Sequence, residues 1–118
     1  MAKSYEELVA EAREATEQTS VEEVHEDLKS GNATVVDVRE PEEWEAGHVP
    51  GARLIPRGLL ESRTADELPD PDARIIVHCA IGGRGSLAAK SLQEMGYTNV
   101  ANMDGGINAW RERGYETE

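Results

Sequence analysis

The stretch HCAIGGRGS, His78 to Ser86, holds the only cysteine of the chain, Cys79. The apolar run RIIV leads into it, and a glycine-rich turn with one arginine follows. The thiolate is the reactive form of a cysteine, and a helix N-terminus or a neighbouring guanidinium favours it over the thiol. Gly82 and Gly83 permit backbone conformations that other residues resist. Consecutive N–H groups in such a turn form a concave nest for an anion. Arg84 adds a planar fork of donors suited to an oxyanion. Together these residues describe a nucleophilic sulfur cradled by N–H donors, with an anion-binding arginine at its rim.

A buried, inert cysteine is the competing reading, because cysteine packs well as a small hydrophobe. A glycine-rich turn directly after the thiol weighs against it. Neighbouring side chains of a strand point to opposite faces, so His78 is read as a structural residue facing away from Cys79. His25, on a helix, reads as solvated, and His48 as an organiser of its loop. One cysteine and three scattered histidines give no metal-ligand spacing. The reading calls for neither metal nor cofactor.

Elements of alternating type must position this loop. Ser4 with Glu7, and Ser20 with Glu23, match the capping box that opens a helix. Tyr5, Leu8, Val9, Ala12 and Ala15 recur at helical spacing, predicting an amphipathic first helix over Tyr5 to Glu17. Val21, Val24 and Leu28 stripe a second helix, which SGN stops at Ser30 to Asn32. ATVVDV, ARLIP, RIIVHC and NVANM read as short strands. REPEEWEAGHVPGA reads as a loop with a helical turn around Glu42 to Glu45. A weak helix falls in GLLESRTADELPDPDA, a firm one from Gly85 to Met95, and a short last one in GGINAWRERG. Trp44 and Trp110 read as core.

Strands alternating with helices imply parallel pairing through right-handed crossovers. The expected fold is α/β: a three-layer, mostly parallel sheet of four to five short strands with helices on both faces. Ligands of such sheets sit beyond the C-terminal ends of the strands, which is where Cys79 falls. Residues 1–19 are expected to form a helical extension, packed on the sheet or the last helix, and 20–118 the main domain.

Composition bounds the partners. A chain of 118 residues suits one domain. A formal charge of −12 argues against nucleic acid and anionic membrane as partners. The charge serves solubility first; adaptation to high salt is a lesser reading. A lone cysteine forms no internal disulfide. Neither a secretory leader nor a membrane-length apolar run is apparent, so a cytoplasmic protein is expected.

Three motifs carry a family likeness. VVDVREPEEWEAGHVPGA, IIVHCAIGGRGSLAAKSLQEMGY and NVANMDGGINAWRERGY resemble, in order, the first motif, the active-site loop and the closing motif of the single-domain rhodanese family. The likeness runs from about Ser20 to Tyr115. It implies the rhodanese-like fold and sulfur transfer: the cysteine takes a sulfane sulfur from thiosulfate or a persulfide, and a thiophilic acceptor removes it. Carried over, Cys79 is the nucleophile and sulfur carrier. Ala80, Ile81, Gly82 and Gly83 cradle the persulfide, and Arg84 binds an anionic donor. Cyanide, thiols or a sulfur-relay protein fit as acceptors.

Many family members place Ser directly after the loop arginine, where this chain has Gly85 and then Ser86. The resemblance implies that a helix-capping hydroxyl has moved, softening that helix start. Asp37 and Arg39 are candidates to support the loop from behind, although an ion-pair network with Glu42 or Glu43 is the preferred reading for them. Gly105 and Gly106 fit either a helix start near the site or close packing. The rival activities are a phosphatase or arsenate reductase of the same architecture, and a non-catalytic binding module. Four residues separate Cys79 from Arg84; dual-specificity phosphatases resemble a loop one residue longer. The retained cysteine argues against a purely binding role.

Overall fold

The computed structural model describes residues 1–118. Its sheet has five parallel strands in the order β1-β5-β4-β2-β3. In chain order these are β1 (Glu17–Thr19), β2 (Thr34–Asp37), β3 (Arg53–Leu54), β4 (Ile75–His78) and β5 (Val100–Met103). The helices are α1 (Tyr5–Ala15), α2 (Val21–Ser30), α3 (Pro41–Glu45), α4 (Leu60–Glu67), α5 (Gly83–Glu94) and α6 (Gly106–Glu112), with one 3₁₀ turn at Arg57–Leu59.

The central strands are buried on both faces, which is why TVVD and IIVH read as nearly unbroken apolar runs. Alternation along β4 divides the core. Ile75, Val77 and Cys79 join Leu60, Ala88, Ala89 and Leu92 on the α4–α5 side. Ile76 joins Val21, Val24, Ile107 and Trp110 on the α2–α6 side. The α/β architecture with helices on both faces is therefore the expected one.

Local signals fixed several boundaries. Ser4 accepts from the Glu7 amide and Glu7 from the Ser4 amide, a complete capping box. Ser20 accepts from the Glu23 amide at 3.1 Å, and Gly31 closes α2 at φ 72°. Other boundaries moved. The first helix ends at Ala15, two residues short of Glu17, and Glu17–Thr19 pairs with β5 as an edge strand. EQT carries too little apolar character to announce a strand; the pairing comes from β5.

The first helix also packs differently from expectation. It lies chiefly against α5 and meets the sheet only at the adjoining edge strand β1. Of its apolar stripe only Ala12 is fully buried, while Tyr5 and Leu8 are exposed. Trp110 is in the core as expected. Trp44 is only half-buried and stacks on His48 at 3.6 Å between ring centroids. His25 is half-buried as well, stacked on Tyr115 at 4.0 Å, because α2 turns that position toward the C-terminal segment.

Candidate active site

The thiol lies at the C-terminal end of the central strand β4, in the turn that starts α5. The helix begins at Gly83, two residues earlier than its apolar spacing indicated. Gly83 and Arg84 thus belong to its first turn, and Gly82 is the N-cap at φ 129°. That conformation suits glycine. No side chain caps the helix. The Gly82 amide, at the N-cap itself, donates to Cys79 Sγ at 3.0 Å, which holds the sulfur beside the start of the helix. Cys79 is 1 % exposed, whereas Ile81, two residues on, is 72 % exposed.

The other face of the turn is held by the last helix. The amides of Ile107 and Asn108 donate to the carbonyls of Cys79 (2.9 Å) and Ala80 (3.1 Å). These are orphan donors at the start of α6, and they draw the loop carbonyls toward themselves. Gly106 lies beneath this contact at φ 60°. A Cβ there would overlap the Cys79 carbonyl and stand 2.5 Å from the Ala80 carbonyl oxygen. Both expectations for the GG pair hold together: it starts a helix at the site, and it packs closely.

Gly85 lies inside the first turns of α5, which no side-chain hydroxyl caps. It sits against the Asn102 side chain, where a Cβ would overlap Oδ1 and approach Cγ to 3.2 Å. Ser86 is buried and accepts from Asn102 Nδ2 at 3.3 Å, so its hydroxyl ties α5 to β5. Gly83 is held from outside, because a Cβ there would overlap the Tyr5 hydroxyl of α1. Tyr5, Val9 and Arg13 face Ile81, Gly82 and Gly83 across a groove of about 350 Å³. No sequence signal tied α1 to this loop, since the two lie far apart along the chain.

Arg84 does not stand free at the rim. Its Nη1 and Nη2 donate to Glu43 Oε1 (2.7 Å) and Oε2 (3.1 Å). The bonds to Arg84 hold the Glu43 carboxyl down at about 2. The same pairing raises the Arg84 guanidinium, with the Cys79 and Tyr5 charges adding smaller support. Glu43 also accepts from the Glu40 amide at 3.0 Å.

Asp37 and Arg39 pair with each other, correcting the expected network with Glu42 or Glu43. Arg39 donates to Asp37 Oδ2 from Nη2 at 2.7 Å, to the same carboxylate from Nε, and to the Gly47 carbonyl at 2.9 Å. Both residues are buried. Asp37 is in register with His78, on the face of the sheet away from Cys79. His78 Nε2 lies 3.8 Å from Asp37 Oδ2 and makes no hydrogen bond, while Nδ1 lies 3.1 Å from the Cys79 carbonyl. Burial pushes the His78 imidazole below its ordinary 6.5, against the pull of Asp37. His78 is thus structural, as its strand position indicated. His48 organises its loop through the Trp44 carbonyl (3.1 Å) and through paired backbone bonds with Glu118.

The site is a thiol bonded to the N-cap amide of α5, inside a turn braced by α6 behind and α1 in front. The rhodanese-like domain family model matches residues 20–113, and the chain belongs to that family. Among its relatives is the probable adenylyltransferase/sulfurtransferase MoeZ of Mycobacterium tuberculosis, 32% identical over 87 residues. That match takes in 73% of this chain but 22% of MoeZ, so the chain spans under a quarter of that curated relative.

Two solved structures extend the likeness. The human single-domain sulfurtransferase TSTD1 superposes with a TM-score of 0.76 at 32% identity, covering 81% of this chain and 96% of that one. RPA3614 of Rhodopseudomonas palustris, described as a protein of unknown function and possible tyrosine phosphatase, gives 0.89 at 33% identity. It covers 100% of this chain and 96% of its own, so that match includes α1. No helix of the chain is long and apolar enough to cross a membrane.

Proposed function

We propose that this domain is a sulfurtransferase that carries sulfane sulfur on Cys79. The observation that carries the reading is the Gly82 amide on Sγ at the N-cap of α5. A helix N-terminus favours negative charge, and a persulfide places such charge on its terminal sulfur. Family membership and sulfurtransferase relatives support the same reading.

The chemistry runs in two half-reactions. The Cys79 thiolate attacks the outer sulfur of thiosulfate; a new S–S bond forms, and the old one breaks with its electron pair leaving on sulfite. An acceptor nucleophile such as cyanide or a thiol then attacks the terminal sulfur. It departs with that sulfur and returns the thiolate. With Cys79 1 % exposed, the site favours attack on an unhindered terminal sulfur. Ala80, Ile81, Gly82 and Gly83 form the cradle, and Arg84 is the cation at its edge. A low-molecular-weight persulfide serves equally as donor, and a sulfur-relay protein as acceptor.

Intact-mass spectrometry tests this. Folded protein given thiosulfate without an acceptor gains one sulfur atom, reversed by cyanide or dithiothreitol and absent in Cys79→Ser. Turnover of aryl phosphates, with no sulfur gained from thiosulfate or small persulfides, would replace the reading with a phosphatase. Neither activity would leave a binding module.

A further inference from the structure

The cation placed to receive an anionic donor already holds an anion of the protein's own. Glu43 meets Arg84 through two parallel bonds of 2.7 and 3.1 Å. This fork is the geometry in which guanidinium binds carboxylates and other oxyanions best. The carboxylate is fixed from a second side by the amide of Glu40, the N-cap residue of α3. Both side chains are 34% exposed, so the pair lies at the rim within reach of solvent and solutes. A sulfonate approaching the same fork must displace the carboxylate, since both need the same N–H donors.

We propose that Glu43 sets donor specificity in this site, occupying the anion fork of Arg84 and so disfavouring sulfonate-bearing donors such as thiosulfate against hydropersulfides with uncharged tails. The proposal rests on the sulfurtransferase reading for its meaning, though not for its binding test. Two further observations agree. With its carboxyl held near 2, Glu43 keeps its charge at every working pH. The chain's formal charge of −12 opposes small anions in general. A hydropersulfide with an uncharged tail delivers sulfur without an oxyanion leaving group and makes no demand on Arg84.

The opposite role for Glu43, orienting Arg84 so that it binds anions better, predicts the opposite sign. Calorimetry of thiosulfate binding to Cys79→Ser at fixed ionic strength separates them. Glu43→Gln retains an oxygen for the Glu40 amide while removing the charge. In the Cys79→Ser background it is expected to tighten thiosulfate binding about tenfold, the scale of one charge-assisted hydrogen bond. Adding Arg84→Gln is expected to erase that gain. With Cys79 present, Glu43→Gln is expected to raise the ratio of kcat/KM for thiosulfate to that for 2-hydroxyethyl hydropersulfide by a similar factor. An unchanged or weakened Kd in folded Glu43→Gln overturns the proposal. If neither donor loads sulfur on Cys79, the sulfurtransferase reading fails, and the calorimetric comparison still decides what Glu43 does to the fork.

Discussion

Ile107 donates its backbone N–H to the carbonyl of Cys79 at 2.9 Å, so the last helix of the chain holds the peptide that follows its only thiol. The next amide, of Asn108, holds the Ala80 carbonyl in the same way. Two carbonyls are thereby committed to α6, while the Gly82 amide is left to face the sulfur. The cradle is built by two helix starts, one offering a donor to the sulfur and the other fixing the carbonyls behind it.

This arrangement makes Gly106 a sensitive position. Alanine there adds a methyl against the carbonyls of Cys79 and Ala80 and holds a non-glycine residue at φ 60°. Overpacking of this kind costs about 1–3 kcal/mol. We expect Gly106→Ala to lower the urea midpoint and to cut persulfide loading more than a stability loss of that size explains. Full loading by the folded variant would show that α6 does not shape the cradle.

Asp37 tests the support on the opposite face of the sheet. Its carboxylate is the only anion bonded to the buried Arg39 guanidinium, which also holds the Gly47 carbonyl. Removing one partner of a buried pair leaves the other charge uncompensated, at a cost of about 3–5 kcal/mol. Asp37→Ala is expected to be largely unfolded or to unfold at much lower denaturant than wild type. A loss below about 1 kcal/mol, the range of exposed pairs, would mean that water reaches Arg39.

Much of this was legible in the residues, for identifiable reasons. The apolar runs of β2 and β4, the capping residues Ser4 and Ser20, and the stop at Gly31 are local signals with local causes. The thiol, the two glycines and the arginine advertised their chemistry by type and spacing. What stayed hidden depends on distant partners. Nothing in EQT announces a strand, because its pairing is supplied by β5. Arg84 read as a free cation because its counter-ion lies 41 residues away on α3. Asp37 and Arg39 stand out in the sequence, but the burial that makes them bond each other, and not Glu42 or Glu43, belongs to the packed sheet.

Stability should depend on pH through His78. Its folded pKa lies below the ordinary 6.5, with burial outweighing the pull of Asp37 and Arg39 opposing the proton. The unfolded chain therefore binds the proton more readily than the folded one. Stability is fully present above about 6.5 and falls as pH drops below it. The urea midpoint is expected to fall between about pH 7.5 and 5.5, and the fall to shrink in His78→Gln. Glu43 adds a separate loss only below 4.5, as pH approaches its folded value of about 2. A midpoint that rises on acidification to 5.5 would mean that His78 is charged and paired with Asp37.

Gly85 and Asn102 offer the sharpest test of packing around the helix that carries the cradle. The amide oxygen of Asn102 is buried without a hydrogen-bond partner, and it occupies the space that a Cβ on Gly85 would need. The Asn102 nitrogen is engaged with Gln18 at 2.9 Å and with Ser86, so the amide cannot turn aside without losing both. Gly85→Ala should therefore destabilise by about 1–3 kcal/mol through overpacking. If the collision with Asn102 is the cause, the penalty depends on that side chain. Asn102→Ala alone should also destabilise, by removing the tie between β5 and α5. The double variant should then be more stable than the sum of the two losses predicts, with a coupling of about 0.5–3 kcal/mol in urea denaturation. Additive losses would place the cost of a side chain at position 85 elsewhere, and the nearest other neighbour is the Cys79 amide, 3.4 Å from the same Cβ. In that case Gly85→Ala should impair persulfide loading whichever residue stands at position 102.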